Sequence, residues 1–567
     1  MDLITQTATS TSSTLVNGLR ADYYEGRNFN ILRQTKLDPT VNFLWQAGAP
    51  SSSLPSDNFS VRWTGQVQPK YSETYTFYTN SDDGIRLWVN GMPLIDNWLP
   101  HGVTENSGTI TLNAGQLYTI QLEYYDLVGD AVAQLMWSSP SQTKEIIPQS
   151  QLFSSSMLSA NSVLETAKPA ASFIDSIGVN THIRYYDTAY GNYSLIKQRL
   201  QELGVKHIRD GGSDPTWIQR INDLASVGIK STLVIDPYIG VGPDSSYNIN
   251  PPGYTVQQLV KNMLPNAVDA VEILNEFDVF YSNGYTHNGQ TINASNWVPY
   301  VRDSTRDTFT ALKSDPATQG ISIIGPSFVF SDSSSKIGDL SQWIDYGNFH
   351  PYNNPSYPGD GNLVRDLANR SQSFGTKPMM ATETGYYTGS PATGRAVSET
   401  VQSKYIPRLF LENFNQGVYR TFSYELIDQR PDPTHSEDNF GLLRYDGSPK
   451  PAFIAQQNLM QLLNDTKTTF TPGSLSYSFS GDVQNIHHTL LQKSNGDFYL
   501  ALWSEVPSTD QNYAQTVTLN LTTPISQATT YLPNQSTAPI AQYAAPNQLT
   551  LTVPDYPLLV QLTPNSR

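Results

Sequence analysis

Apolar and polar residues alternate one by one through the first part of the chain, which is the period of a half-buried β-strand. Turn residues separate the alternating runs, as at Asn80 to Gly84 and at Asn90-Gly91, and no helical pattern interrupts them. The runs are ETYTFYT, IRLWVNG, GQLYTIQLEYYD and AVAQLMW. Because amphipathic strands bury their apolar faces by stacking two sheets, this pattern predicts a β-sandwich over residues 15–153.

The pattern changes over residues 172–464, where short apolar runs alternate with stretches of helical period. The runs that predict strands are SIGVNTHI, VKHIRD, KSTLVID, DAVEILN, ISIIGPS, YGNFHPY, PMMATET and YRTFSYE. Eight strands alternating with helices over this length predict a (β/α)₈ barrel. An open, doubly wound sheet is the alternative, but no glycine-rich dinucleotide fingerprint follows the first strand.

Alternation returns in residues 465–567, in SLSYSFSG, HHTLLQKS, DFYLALWS, QTVTLNL, QLTLTV and LLVQL. This predicts a small C-terminal β-sandwich packed against the barrel. Residues 154–171 are expected to be a linker and residues 1–14 a flexible polar lead-in. The fold class is therefore multidomain: a sandwich, a barrel and a second sandwich.

The net charge and the cysteine content exclude several classes of partner and of chemistry. The formal net charge of the 567-residue chain is −16, and a surface this acidic repels phosphate backbones, so nucleic acid is not an expected partner. Cysteine is absent, which excludes disulfides, thiol nucleophiles and cysteine-ligated metals. No run of about 18 apolar residues predicts a membrane span.

The N-terminal segment resembles the protective-antigen-type (PA-14) domain family. The residues that carry the resemblance are GLRADYYEG, VRWTG and YTFYTNSDDGIRLWVNGMPLIDNW. The resemblance implies carbohydrate recognition, in some members through calcium held by an Asp-Asp pair, and Asp82 and Asp83 stand at that place. Adjacent carboxylates on a turn are suitable calcium ligands. The alternative is that SDDG is only a polar turn.

Two acidic side chains stand at the ends of predicted barrel strands. Asn275 and Glu276 follow the fourth strand, and Glu383 lies at the tip of the seventh. The carboxyl ends of barrel strands carry the active site, so the two carboxylates are expected to meet across its mouth. One protonated and one ionised carboxyl group are what cleavage of a glycosidic bond requires.

This arrangement resembles the clan A glycoside hydrolases, on ILNE, on ATETGYY and on the later FGLLRYDGSPKPAF. The resemblance implies that Glu276 is the general acid/base and Glu383 the nucleophile of a retaining mechanism, with Asn275 bonded to the sugar 2-hydroxyl. For that mechanism the two carboxyl groups are expected about 5–5.5 Å apart.

Other strand ends offer supporting residues. Arg209 ends the second strand and is expected to keep Glu383 ionised, or alternatively to form an ion pair with Asp210 or another structural acid. Tyr352, after the sixth strand, is expected to donate a hydrogen bond to Glu383. His350, at the same strand end, is expected to bind a sugar hydroxyl. Either of these two can instead be a packed strand end.

The remaining candidates are expected to contact substrate. Asn180 and His182 alternate along the first strand and point to one side. Asp236 and Tyr238 follow the third strand. At the eighth strand many clan A members have a Trp, whereas this chain has the two residues Tyr424, which can stack on a sugar, and Glu425, which can accept sugar hydroxyls.

The sequence thus predicts a retaining glycoside hydrolase acting on a β-linked oligosaccharide or polysaccharide, with no cofactor required for catalysis. The alternatives are an exo-acting glycosidase such as an arabinofuranosidase, or a non-catalytic carbohydrate-binding protein or adhesin. A secreted or cell-surface location is expected from the resemblance, although Met1 to Thr14 lacks the basic start and apolar middle of a signal peptide.

Overall fold

A computed structural model of the chain describes residues 15–29, 31–51, 54–155, 163–250, 253–390, 394–465, 467, 469–483 and 485–565. The expected lead-in of residues 1–14 lies outside them. The chain divides into two compact units, residues 1–163 with 477–485, and residues 164–476 with 486–567. Within the described residues, no helix is long and apolar enough to cross a membrane.

The N-terminal segment is made of β-strands, as the alternating pattern predicts. Its core holds Trp63, Trp137, Tyr75 and Tyr124, all fully buried. In its described part the strands form an eight-stranded and a five-stranded sheet. The strands are Leu15–Asn17, Leu19–Glu25, Ile31–Asp38, Asn42–Gln46, Phe59–Val67, Glu73–Asp82, Ile85–Val89, Met92–Asn97, Thr104–Leu112, Tyr118–Asp126, Ala131–Ser139, Gln142–Ile146 and Leu152–Ser155, with a 3₁₀ turn at Gln149–Gln151.

Eight parallel strands follow, here numbered β1 to β8, and they confirm the predicted barrel-like sheet. Their order is 5-4-3-2-1-8-7-6, and a bridge from Ile324 to Tyr346 links the two ends, so the sheet is nearly closed. The strands are β1 Ile177–Asn180, β2 His207–Asp210, β3 Lys230–Ile235, β4 Val268–Ile273, β5 Ser322–Ile324, β6 Gly347–Phe349, β7 Met379–Thr384 and β8 Arg420–Ser423.

These strands are almost continuously buried, as the strands of a parallel sheet covered by helices should be. The helices start at caps that the sequence supplies: Asp214 accepts from the Trp217 amide, Ser398 from the Val401 amide, and Thr255 forms a capping box. The helices are Ala170–Asp175, Tyr193–Leu203, Pro215–Ser226, Val256–Lys261, Phe277–Phe280, Trp297–Lys313, Ser333–Ile337, Asn362–Ser371, Glu399–Asn415 and Pro451–Leu463.

Shorter elements lie in the loops of the barrel. Two of the loops carry small two-stranded sheets. The elements are the 3₁₀ turns Ala189–Gly191, Pro237–Ile239, Ser341–Trp343 and Ser436–Asp438 and the strand pairs Val241–Gly242 with Tyr254–Thr255 and Thr286–His287 with Gln290–Thr291.

The C-terminal residues form the expected strands and two that the alternation did not predict, Ile525–Tyr531 and Pro539–Ala544. The others are Ser474–Gly481, Ile486–Gln492, Phe498–Ser504, Ala514–Leu521, Gln548–Pro554 and Leu558–Pro564.

The segment expected to be a linker differs from that expectation in its described part. Residues 156–162 lie outside the described residues, but Val163–Thr166 and Lys168–Pro169 are strands, and a helix begins at Ala170. Lys168–Pro169 runs parallel to the end of strand Ile486–Gln492. A pairing between residues so far apart in the chain leaves no local signal in the sequence.

Candidate active site and candidate metal site

Glu276 and Glu383 lie close together at the carboxyl ends of β4 and β7. His350 Nδ1 is 2.8 Å from Glu276 Oε1 and 3.7 Å from Glu383 Oε2. One oxygen of each carboxylate and a His350 nitrogen all lie within 4.8 Å of one another. Glu276 has a φ of 44°, in the left-handed region that non-glycine residues seldom adopt, and its amide donates to Ser327 Oγ at 3.0 Å. The backbone is therefore held in an uncommon conformation at this acid.

The Glu383 carboxylate is fixed at both oxygens. Arg209 Nη1 donates to Oε1 at 2.5 Å, and the Tyr352 hydroxyl donates to Oε2 at 3.0 Å. The hydrogen bonds therefore fix the orientation of the Glu383 carboxyl group at the mouth of the barrel.

Arg209 is itself held by a buried carboxylate that sequence reasoning missed. Its Nε and Nη2 donate to the two oxygens of Glu272 at 2.5 and 2.7 Å, and it also donates to Asn180 and Asn275. Arg209 does not pair with its neighbour Asp210, but Glu272 is a structural acid of the kind that the alternative allowed, and Arg209 pairs with Glu383 as well. The signal for Glu272 is in the sequence, because a charge inside the apolar run of β4 must be paired to be buried.

His350 is placed differently from the expectation that it binds a sugar hydroxyl. Nδ1 hydrogen-bonds Glu276, and Nε2 lies 3.0 Å from Thr382 Oγ1, so protein groups engage both ring nitrogens. Burial lowers the pKa of His350, but the negative charges of Glu383 and Glu276 outweigh it and raise that pKa above its ordinary value. Burial likewise raises the pKa of Glu276, but the hydrogen bond and charge of His350 outweigh it, so the net shift is downward. These shifts favour an ionised Glu276 beside a protonated His350.

A cavity of about 270 Å³ opens beside Glu383 over the ends of β1 to β4. Several of the predicted site residues line it: Asn180, His182, Arg209, Asp236, Tyr238, Asn275 and Glu383. Asp236 accepts from the Tyr238 amide and the Tyr285 hydroxyl, and burial raises its pKa to about 6. The Tyr238 ring is 54% exposed at the rim of the cavity.

The two candidate residues after β8, Tyr424 and Glu425, have different surroundings in the structure. Tyr424 is half-buried, its hydroxyl lies 3.2 Å from His182 Nε2, and its ring meets His182 edge-on. Glu425 is fully buried, accepts from the Tyr190 hydroxyl at 2.9 Å and from Gln429, and has a pKa raised by burial. The expectation that Glu425 accepts sugar hydroxyls does not fit, because neighbouring protein groups occupy both oxygens.

A second cluster of acids and a histidine lies between the helix Glu399–Asn415 and the C-terminal strands. Arg408 donates to both oxygens of Glu505 at 2.9 and 2.5 Å, and His487 Nδ1 lies 2.5 Å from Glu412 Oε1. Burial raises the pKa of Glu412, whereas the charge of Arg408 outweighs burial and lowers that of Glu505. Among the described residues this cluster and the Glu276, His350 and Glu383 group have the spacing of metal ligands. Arg408 occupies both oxygens of Glu505, and the two oxygens of Glu383 are taken by Arg209 and Tyr352.

The N-terminal unit contains a separate group of acids. Asp83 accepts from the backbone amides of His101 at 3.0 Å and Leu127 at 2.8 Å, and Asp82 precedes it. Asp126, at the end of the strand Tyr118–Asp126, is fully buried, and neither of its carboxylate oxygens has a hydrogen-bond partner among the described residues.

Burial, followed by the charges of the neighbouring acids, raises the pKa of Asp126 to about 7. Buried polar groups are almost always partnered, so the two oxygens of Asp126 call for a donor or a cation. The three acids Asp82, Asp83 and Asp126 are not among the described groups that have the spacing of metal ligands. Sequence reasoning missed Asp126, whose only signal is an acid ending an apolar strand.

Similarities to known proteins cover the N-terminal segment most clearly. The PA14 domain model matches residues 15–151. The anti-sigma-I factor RsgI3 of Acetivibrio thermocellus is 53% identical over 139 residues, 24% of this chain and 22% of that protein. The protective antigen of Bacillus anthracis is 29% identical over 144 residues, 24% of this chain and 18% of that protein. The chain thus spans about a fifth of the length of these curated relatives.

A solved structure matches most of the chain at low identity. It is a family 39 glycoside hydrolase from the gut symbiont Bacteroides cellulosilyticus WH2, with 15% sequence identity and a TM-score of 0.46, covering 88% of this chain and 97% of that one. What is shown for this protein is therefore that residues 15–151 are a PA14 domain, followed by a nearly closed parallel eight-stranded sheet in the described part of the chain.

Proposed function

We propose that the chain is a retaining glycoside hydrolase that cleaves a β-linked oligosaccharide or polysaccharide by double displacement. The observation that carries the proposal is the approach of the Glu276 and Glu383 carboxylates, with oxygens within 4.8 Å of each other at the ends of β4 and β7. Retaining glycosidases have carboxyl groups about 5–5.5 Å apart, whereas inverting enzymes need about 6.5–9.5 Å to admit a water molecule.

In the first step a Glu383 oxygen attacks the anomeric carbon while the bond from that carbon to the leaving oxygen breaks. Arg209 and Tyr352 donate hydrogen bonds to the two oxygens of Glu383 and so orient it for the attack. Glu276 gives a proton to the leaving oxygen, and His350, which is hydrogen-bonded to Glu276 and has a raised pKa, can supply that proton to the carboxylate. The product is a glycosyl ester of Glu383 and a free alcohol.

In the second step Glu276 takes a proton from water as the water oxygen attacks the anomeric carbon and frees Glu383. Two inversions return the original configuration. Asn275 lines the cavity and is held by Arg209 at 2.8 Å, where it can meet the sugar 2-hydroxyl. This chemistry requires no metal or organic cofactor.

We also propose that the PA14 domain recognises carbohydrate and that Asp82, Asp83 and Asp126 hold a calcium ion there. When bound, the ion would supply a positive charge that neutralises the buried Asp126, and it would offer coordination positions to the hydroxyl oxygens of a sugar. A secreted or cell-surface location follows from a polymeric substrate.

The test is a screen of aryl β-glycosides and β-linked polysaccharides, followed by proton NMR of the first-formed anomer. Glu383→Gln is expected to abolish turnover while glycan binding survives. Glu276→Ala is expected to turn over only activated aryl glycosides and to be rescued by azide, giving a glycosyl azide of retained configuration. Asp187→Asn, an exposed acid of the same unit, is the matched control and should match the wild type.

Two results would reject the mechanism: a first-formed anomer of inverted configuration, or wild-type turnover by Glu383→Gln. Glycan binding without turnover on any glycoside would favour the alternative of a non-catalytic binding protein.

A further inference from the structure

Arg184 is a cavity residue that the mechanism above does not use. It lies in the loop after β1, is half-buried, and lines the same cavity as Glu383 and Asn275. Its guanidinium lies 4.9 Å from the centre of the Tyr185 ring, which also lines the cavity. The side chain is thus supported on one side and faces the space beside the proposed nucleophile.

The second arginine of the cavity has its charge neutralised by protein groups. Arg209 is held by both oxygens of Glu272 and by Glu383. Asp236 is engaged at both oxygens by neutral donors, the Tyr238 amide and the Tyr285 hydroxyl. Neither group therefore needs a charged ligand.

The other buried acid near the cavity, Asp210, is saturated in the same way. Its two oxygens accept four hydrogen bonds, from Thr181 Oγ1, the amides of Ile183 and Gly211, and Trp217 Nε1. Each carboxylate considered around the cavity is thus satisfied without Arg184.

Arg184 is different. Among the described residues, no carboxylate oxygen lies within the 4 Å of an ion pair from its nitrogens. A guanidinium presents five N–H donors in a planar fork that matches a carboxylate with two parallel hydrogen bonds. In a half-buried site such a cation favours a ligand that brings its own negative charge.

We propose that Arg184 selects a sugar that carries a carboxylate, a hexuronic acid, in the cavity beside Glu383. The inference rests on the proposed glycosidase function and names its substrate class. Without Arg184, a uronate would enter a cavity that already holds the ionised Glu383 and would be repelled by it. Arg184 supplies the compensating charge, and the flat fork suits a carboxylate better than the tetrahedral oxygens of a sulfate ester.

The experiment compares 4-nitrophenyl β-glycosides in pairs that differ only at C6: glucuronide with glucoside, and galacturonide with galactoside. Wild-type kcat/KM is expected to favour one uronide over its neutral partner. Arg184→Gln is expected to lower that uronide-to-hexoside ratio by about 10- to 100-fold, the loss of a charge-assisted hydrogen-bonded pair. Arg184→Lys keeps the charge but not the fork and should give an intermediate ratio.

Arg365→Gln is the matched control for the loss of a positive charge. Arg365 is an exposed residue of the helix Asn362–Ser371, it pairs with Asp366, and neither residue lines the cavity. Its ratio should equal that of the wild type. Circular dichroism and urea unfolding of each variant separate misfolding from lost recognition.

The outcomes distinguish this inference from the proposed function. Turnover of neutral hexosides at rates equal to or above those of the uronides, with the ratio unmoved in Arg184→Gln, would overturn the inference and leave the glycosidase standing. Preference for 6-sulfated hexosides over uronides would overturn the choice of carboxylate. If no glycoside is turned over, calorimetric titration of free glucuronic and galacturonic acid decides: binding that weakens in Arg184→Gln supports the inference, and binding that is absent or unchanged overturns it.

Discussion

The buried acid Asp126 makes a quantitative prediction about the PA14 domain. Its pKa is about 7 in the folded chain against an ordinary 3.8, because of burial and the neighbouring acids. The folded state then binds more protons than the unfolded state between these two pH values, so stability falls as pH rises through them. A shift of about 3 units at 1.36 kcal/mol each gives a loss of at most about 4 kcal/mol between about pH 4 and pH 7.

The perturbation is Asp126→Asn, which removes the titrating group. The amide leaves buried donors unsatisfied, a pH-independent penalty of about 1–3 kcal/mol in the free energy of unfolding relative to the protonated wild-type acid. The informative quantity is therefore the slope with pH, which should be flatter in Asp126→Asn than in the wild type. Asp96→Asn, at an exposed acid of the strand Met92–Asn97, is the control and should keep the wild-type slope.

The assay is hydrogen exchange of the full chain in chelator, read on peptides covering the strands Tyr118–Asp126 and Phe59–Val67 and corrected for intrinsic exchange. Calcium at 1 mM should restore protection in the wild type, most strongly at pH 7 where Asp126 is ionised, and should leave Asp126→Asn much less affected. Equal slopes for the wild type and Asp126→Asn in chelator would refute the argument.

Three further outcomes are expected. His350→Asn should lower kcat/KM by about 10-fold or more for poor leaving groups and move the basic limb of its pH profile to lower pH, since the catalytic proton then depends on the Glu276 carboxyl group without the pair with His350; an unmoved limb would argue against His350 as the source of that proton. Arg209→Met should cost about 3–5 kcal/mol in urea unfolding at pH 7, and adding Glu272→Met should recover most of it; a double variant as unstable as the single one would contradict the pairing. Glu505→Gln should cost about 3–5 kcal/mol by leaving its buried arginine unpaired, whereas Glu412→Gln should cost less and should lose less stability as pH rises, because it removes the acid whose pKa is raised; equal losses in the two variants would be inconsistent with this assignment of charge.

Strand periodicity and strand order were readable from the sequence because they depend on local patterns. The parallel strands of the barrel are buried on both faces and therefore stand out as short apolar runs. Asn275, Glu276 and Glu383 could be singled out because a polar residue directly after such a run must lie at the mouth of the barrel.

What could not be read depends on contacts between distant residues. Glu425 follows β8 just as Glu276 follows β4, yet it turns inward to Tyr190 and Gln429, and no local pattern separates the two cases. Asp126 stands out because its two oxygens have no hydrogen-bond partner among the described residues, and Arg184 because no carboxylate oxygen of those residues lies within 4 Å of its nitrogens.

The short strand Lys168–Pro169 has a consequence for how the chain can be cut. It precedes the barrel in sequence but belongs to the sheet whose next strand, Ile486–Gln492, arrives only after the barrel is complete. The whole barrel must therefore be synthesised before the strand Lys168–Pro169 can pair with the strand Ile486–Gln492. A truncated chain ending at Leu463 would leave the strand Lys168–Pro169 without its partner strand. The last hundred residues expressed alone would lack one strand of their own sheet. Neither fragment is therefore a natural unit for separate expression.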